Sequence, residues 1–180
     1  MRCFLALPMP PEALRPLLQV QAMLDLPDDL TTWMPEESLH LTLAFLDEVD
    51  SGRLQAVHEA MEALRLPAFD LTLSGLDVFG GAKPHAVWAG VAENAALVAM
   101  QAKVETAARR AGVTIPAKRF VPHVTLARLR RPNADQARAI ERTVVSHIGF
   151  RTAAWRVDGF ALYQSWPGSQ YQILAEYPLT

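Results

Sequence analysis

Cysteine is almost missing from this chain: Cys3 stands alone among 180 residues, which excludes an internal disulfide and any zinc site built on cysteines. Long apolar runs are missing too. No segment approaches the roughly 18 uninterrupted apolar residues of a membrane span. The opening apolar stretch stops at Pro8, Pro10, Pro11 and Glu12, too early for a secretory signal. A soluble, cytoplasmic protein with no membrane partner is expected. Excess charge of either sign is also lacking, with 17 Lys and Arg against 19 Asp and Glu, a net charge of -2. Coating long stretches of RNA or DNA needs many phosphate contacts, so that class is disfavoured. Recognition of one phosphate needs only a few placed donors and stays open.

What is present is an ordinary globular composition, 51 % hydrophobic and 20 % charged, enough for a sizeable core in one domain or two small packed lobes. Residues 2–7 read as a short strand. Helical spacing of Leu14, Leu17, Leu18 and Met23 predicts a helix from Glu12 to about Leu24. A strand is expected over Leu39–Leu46, then a helix from Ser51 to about Leu66. Strong alternation over 68–79 predicts one half-buried strand, with Gly80-Gly81 as the turn and 87–91 as its partner. A helix from Asn94 to Arg110 should end at Gly112. Val121–Leu129 reads as a strand and 134–147 as a helix; 150–163 and 170–177 read as two closing strands around Pro167-Gly168.

One pattern outweighs these. From His40 the sequence reads HLTLAFL, and from His123 it reads HVTLARL, with five of seven letters identical and the histidines 83 positions apart. Each copy is followed by a polar turn and a predicted helix. Solenoid repeats run about 20–50 residues, so a repeat this distant points to two similar lobes related by a pseudo-twofold, each presenting an equivalent strand. Strand parity puts His40, Thr42 and Ala44 on one face, with Leu41, Leu43 and Phe45 on the other. The second copy places His123, Thr125 and Ala127 together.

Two imidazoles and two hydroxyls converging on a cleft suit phosphodiester chemistry. One group takes a proton from the attacking oxygen and another protonates the leaving oxygen, and histidine titrates in the range where it does either. Threonine hydroxyls donate to the non-bridging oxygens where charge accumulates. A lone strand histidine is usually structural, and strand threonine usually reflects β propensity. The matched pairs are what favour function. Two histidines with no third ligand at fixed local spacing make a poor zinc set, since Asp47 and Glu48 lie past the strand end.

On these motifs the chain resembles the 2H phosphoesterase superfamily, and specifically the RNA 2′,3′-cyclic phosphodiesterases historically called 2′-5′ RNA ligases. The resemblance extends to Arg2-x-Phe4-x-Ala6, Trp33-x-Pro35, Val87-Trp88-Ala89-Gly90-Val91, Arg119-Phe120-x-Pro122, Gly168-x-x-Tyr171 and Tyr177-Pro178-Leu179. It implies an α/β (α+β) bilobal fold over 1–180 as a single domain, with two pseudo-twofold-related lobes of antiparallel sheet flanked by helices around a central cleft. It also implies hydrolysis of a terminal 2′,3′-cyclic phosphate to a 2′-phosphate with no metal and no cofactor. His40 would be the proton donor and His123 the proton acceptor, with Thr42 and Thr125 binding substrate. Ser38 departs from the family's usual asparagine, Asp47 from its frequent glycine, and Thr32 from a basic residue.

Arg128 lies five positions after His123, so ideal parity turns it away from the cleft, whereas the resemblance gives it a substrate role. Arg119 stands close before the second motif with Lys118 beside it, and both Arg119 and Arg128 are candidate substrate-binding residues. Trp33, Tyr163 and Trp166 could stack a base or serve the core. Arg130 and Arg131 read as solvated turn residues, and His58, His85 and His147 as surface residues. RNA 3′ ends or small cyclic nucleotides carrying a 2′,3′-cyclic phosphate are the expected partners, and a monomer is expected. Rival readings are 2′-5′ ligation at the same site, a small cyclic-nucleotide phosphodiesterase, and a non-catalytic RNA-end binder.

Overall fold

In the computed structural model, which describes residues 1–180, the short strand expected over 2–7 becomes β1 (Arg2–Pro8) and the two motifs become β3 (His40–Glu48) and β7 (His123–Leu129). The remaining elements are α1 (Pro11–Met23), β2 (Thr31–Trp33), α2 (Ser51–Ala63), β4 (Phe69–Leu71), β5 (Leu73–Phe79), β6 (Ala86–Val91), α3 (Ala95–Arg110), α4 (Ala134–Ser146), β8 (Trp155–Val157), β9 (Gly159–Trp166) and β10 (Gln170–Pro178). Helix starts follow local chemistry. Asp50 caps α2 through Arg53 N, and Asn133 with Gln136 forms a reciprocal capping box on α4. Gly112, with φ 98°, follows the end of α3 in the left-handed region, as the sequence predicts.

Strand order is β10-β9-β1-β3-β7-β6-β5, every neighbouring pair antiparallel. The two lobes of antiparallel sheet that the family resemblance implies are joined into this path by a single residue pair, Leu41 opposite Val124. β3 and β7 touch nowhere else in register; β2 takes over the same edge of β7 from Ala127 onward. The halves are also intertwined. β5, from the first half of the chain, completes the sheet of β7, while β9, from the second, completes that of β3. The buried side chains, including Leu5, Leu41, Leu126 and Ile140, form one large apolar cluster, and Phe4, Ala6, Ala161 and Tyr163 form a separate small one on the cleft face.

Both motif strands carry a β-bulge at the same motif position. Leu5 pairs with Ala44 while Ala6 pairs with Thr42, leaving Leu43 extra; Val87 pairs with Ala127 while Trp88 pairs with Thr125, leaving Leu126 extra. A bulge places two residues against one and reverses the parity beyond it. Leu43 and Ala44 are therefore both buried, as are Leu126 and Ala127, and the residues that follow, Phe45 and Arg128, turn out to the exposed face. The parity expectation for Ala44, Ala127, Phe45 and Arg128 is thus corrected.

Other expectations shift as well. The 68–79 run is two strands: β4 leaves the main sheet to pair with β8 in a two-stranded ribbon. Within 150–163, only 155–157 and 159–163 lie in strands, and β9 continues to Trp166. Thr31–Trp33, not marked as a strand in the sequence, is the short edge strand β2. Gly90 lies across from His123, where a Cβ would come within 2.8 Å of the Ser74 carbonyl; only glycine lets β5 and β7 flank β6 this closely.

Asp47 has φ 55°, in the left-handed region that glycine occupies freely and aspartate tolerates better than most residues. That explains why glycine suits this position. Its ion pair with Arg2, at 3.4 Å between exposed side chains, adds little. Thermal and denaturant unfolding should show Asp47→Gly at least as stable as the parent. Asp47→Val, β-branched at positive φ, should lose about 1–3 kcal/mol; an Asp47→Val protein of unchanged stability would refute the backbone explanation.

Candidate active site

His40 and His123 occupy the first positions of their strands, immediately before the residues that join the halves. Antiparallel pairing of Leu41 with Val124 turns His40 toward Thr125 and Thr42 toward His123. All four side chains line one cleft of about 670 Å³ between the half-sheets, together with Arg128, Lys118, Phe45 and the β9–β10 turn from Ser165 to Ser169. That size suits a small ligand.

The two histidines are held alike. His40 Nδ1 lies 2.7 Å from the Ser38 carbonyl, and His123 Nδ1 lies 2.7 Å from the Val121 carbonyl. A carbonyl only accepts, so each Nδ1 carries hydrogen and donates. The neutral tautomer then leaves Nε2 as the basic nitrogen. In that tautomer the Thr42 hydroxyl donates to His40 Nε2 over 3.0 Å; a protonated His40 would reverse the bond and free the hydroxyl hydrogen. Ser38 has a second task. Its buried hydroxyl donates to the Ser169 carbonyl at 2.6 Å, tying the β9–β10 turn to the segment that orients His40.

Aromatic rings wall both imidazoles. Phe4 lies 4.8 Å from His40 and Tyr171 meets it edge-on at 5.1 Å, while Tyr163 stacks behind Phe4 at 4.9 Å. Phe79 meets His123 edge-on at 4.8 Å, with Trp88 at 5.7 Å. Burial first, opposed by the Ser38 carbonyl and assisted by the charges of His123 and Arg128, lowers the His40 pKa to about 4. Burial likewise lowers His123, against the pull of the Val121 carbonyl. Burial, with the Glu176 charge, pushes the Tyr163 phenol up to about 12, so it stays protonated.

The bulge brings Arg128 into the cleft, resolving the conflict between parity and resemblance in favour of the cleft. Arg119 is not brought there. It lines a neighbouring chamber of about 420 Å³ with Phe120, Gln101 and Glu105, which meets the cleft at Thr42, Phe45, Lys118 and His123. Trp166 lines the cleft and is half exposed. Tyr163 packs in the small cluster behind His40, and Trp33 lies on β2 beside Ala127, outside the cleft lining. His58 binds the Tyr177 hydroxyl, His147 the Thr143 carbonyl, and His85 packs on Phe79, all away from the cleft. Sequence reasoning missed Phe45, 63 % exposed at the position matching Arg128. The signal was Arg128 itself: strict alternation would have forced an arginine into the apolar layer. No three His, Cys, Asp or Glu side chains cluster in a way that could hold a metal ion.

A model of the 2′-5′ RNA ligase superfamily matches residues 10–166. The chain belongs to this superfamily. A Geobacillus stearothermophilus protein named RNA 2′,3′-cyclic phosphodiesterase is 35 % identical over 98 % of the chain. The chain spans 56 % of that protein's length, and matches 78 % of a Thermotoga maritima protein of the same name at 30 % identity over 81 % of the chain. Among solved structures, Escherichia coli LigT complexed with 3′-AMP superposes with a TM-score of 0.77 at 25 % identity, covering 99 % of this chain and 98 % of that one. A Thermus thermophilus protein superposes with a TM-score of 0.78 at 26 % identity, covering 99 % and 97 %. The superfamily's mixed α/β fold and antiparallel sheets are those described above.

The depressed His40 pKa links stability to pH. Between pH 6.5 and about 4 the unfolded chain binds a proton at this position and the folded chain does not, so stability is complete above 6.5 and falls as pH drops toward 4. His123 acts in the same direction. Denaturant titrations across this range should show a shallower acid loss for His40→Asn, by up to one proton. An unchanged slope would mean that His40 is not held neutral by burial.

Proposed function

We propose that this chain hydrolyses the terminal 2′,3′-cyclic phosphate of RNA to a 2′-phosphomonoester and a free 3′ hydroxyl. The observation that carries this reading is the matched pair of His-x-Thr sets, each with Nδ1 fixed by a carbonyl and Nε2 left for chemistry. Water forms the new bond to phosphorus as the bond to O3′ breaks. His123 Nε2 takes the water proton, and His40 Nε2–H delivers one to O3′. The Thr42 and Thr125 hydroxyls and the Arg128 guanidinium hold the non-bridging oxygens, where fixed donors stabilise developing charge. Arg119 acts farther out, on the chain upstream of the end. The names of the relatives agree with this substrate, and the fixed aromatic-walled site needs no partner chain.

The reverse division of labour has one observation in its favour. In the free cleft His40 is pushed down to about 4, by burial first and then by the charges of His123 and Arg128, so it is a poor proton holder. A bound phosphate anion counters both of those charges and so raises His40. His40 therefore takes up its proton from solvent as the substrate anion binds. Ligation requires a second RNA end to outcompete water, and the net charge of -2 offers no broad basic surface for one.

An oligonucleotide ending in a 2′,3′-cyclic phosphate should yield the 2′-phosphate at an undiminished rate in EDTA. Complete loss on chelation, restored by zinc or manganese, would overturn the metal-free reading. Alanine at His40 or His123 should each cost about 10²–10⁴-fold in turnover. A substrate with a much better leaving group at the 3′ position needs no acid, and should rescue His40→Ala but not His123→Ala. Rescue of His123→Ala instead would reverse the roles.

The kcat/KM profile should be a bell centred below pH 6.5, because both free-enzyme histidines titrate below that value and one proton must be shared by the pair. The kcat profile should lie at higher pH, since bound phosphate raises both. A kcat/KM flat from about pH 5 to 9 under chemistry-limited conditions would contradict this.

A further inference from the structure

The two bulges share an unusual support. A bulge leaves backbone groups outside the strand ladder, and a buried carbonyl left without a donor is costly. At Leu126 the carbonyl accepts from Met34 N–H and from Gln21 Nε2 on α1, each at 3.0 Å, and the same amide also donates to the Met34 carbonyl at 3.0 Å, so Gln21 ties the bulge and the Met34 segment together. At Leu43 the carbonyl accepts from Gln101 Nε2 on α3 at 3.1 Å, and that amide also donates to Glu105 Oε2 at 2.7 Å. Every one of these partners is an acceptor, so both glutamines must present their NH₂ group. Leu43 and Leu126 are the extra residues of the two bulges. Each glutamine also reaches into the other half of the chain: Gln21 serves the second motif, and Gln101 the first.

The helices repeat around these residues. Leu17-x-x-Val20-Gln21-Ala22-x-Leu24 matches Leu97-x-x-Met100-Gln101-Ala102-x-Val104, and Leu17, Val20, Leu24, Leu97, Met100 and Val104 are all buried. In each helix the apolar positions seat it under the sheet, and the glutamine is the polar side chain delivered to the bulge. The residue two places beyond each bulge carbonyl is the one turned into the cleft, Arg128 after Leu126 and Phe45 after Leu43.

We propose that Gln21 and Gln101 are positioning residues for the active site, pinning the paired bulges so that Arg128 and Phe45 face the histidines. This rests on the reading of Arg128 as a phosphate-binding group. The two pins divide the work: Gln21 controls the grip on the phosphate through Arg128, and Gln101 sets the aromatic wall at Phe45. Neither glutamine touches substrate. A leucine or methionine in either place would still fill the layer, but would remove the side-chain donor from the bulge carbonyl, leaving Leu126 with the Met34 N–H alone, and favour return of the strand to regular alternation.

A double-mutant cycle tests the pin on the full chain with a cyclic-phosphate oligonucleotide. Arg128→Ala should lower kcat/KM by about 10–100-fold, the range for a hydrogen bond to a charged group. Gln21→Met should give a loss of the same order, mostly in KM, yet add almost nothing in the Arg128→Ala background while remaining additive with Phe45→Ala. A merely structural glutamine would be additive with both. Gln21→Asn keeps the amide but shortens its reach, and provides the same comparison if the methionine variant melts below the assay temperature. A second measurement does not depend on turnover. Inorganic phosphate should shift the Arg128 Nε–H resonance in the parent protein and not in Gln21→Met. If Arg128→Ala retains full activity, the assigned role of Arg128 fails. If Arg128→Ala is impaired but Gln21→Met is additive with it and leaves the phosphate-induced shift intact, the pin fails.

Discussion

A single contact between strands, Leu41 against Val124, organises this molecule. Both side chains are fully buried, so the join is made from the core side and leaves the opposite face free. Because only one pair is in register, the half-sheets are fixed to each other without merging into a flat surface, and the opening between them is the cleft. The residues on either side of the pair in each strand are a histidine and a threonine. The same contact that fixes the halves therefore fixes the distance and orientation between the two candidate proton-transfer groups.

Symmetry in the backbone is carried further than symmetry in the side chains. Both histidines are oriented by the carbonyl two residues before them, both strands bulge at the same place, and both bulges meet a glutamine. Side chains then break the equivalence. Arg128 faces Phe45, and His40, more deeply buried than His123, titrates lower. A hydrolytic site acting on an asymmetric ester needs such a difference, with charge on one side and an apolar wall on the other.

The motif repeat was legible in the sequence, because identity at five of seven letters over a separation of 83 residues is independent of any structural rule. Helix limits were nearly as clear, since Asp50, Asn94 and Asn133 are conventional caps. Parity was misleading where it mattered most. Alternation assumes an uninterrupted ladder, and a bulge is set by the neighbouring strand and by a helix from the other half of the chain, neither of which a local pattern contains. The strand β2 was missed because three residues pair only through an edge that β3 vacates. Splitting of 68–79 into β4 and β5 was missed because alternation runs unbroken across the boundary from Phe69 to Leu73 while the two pieces pair with different partners. Ser38 illustrates the converse: it departs from the asparagine usual at that position, yet it is buried and bonded to the Ser169 carbonyl, so the substitution retains a structural tie.

The central claim is that one phosphorus sits between the two Nε2 atoms. A crystal structure with a nucleoside 2′,3′-cyclic vanadate, which adopts the five-coordinate geometry of the transition state, tests it most directly. The account predicts vanadium on the line between His40 Nε2 and His123 Nε2, the 3′ oxygen beside His40, and the equatorial oxygens on Thr42, Thr125 and Arg128. Vanadium bound to only one histidine, or seated in the Arg119 chamber with both imidazoles free, would contradict it.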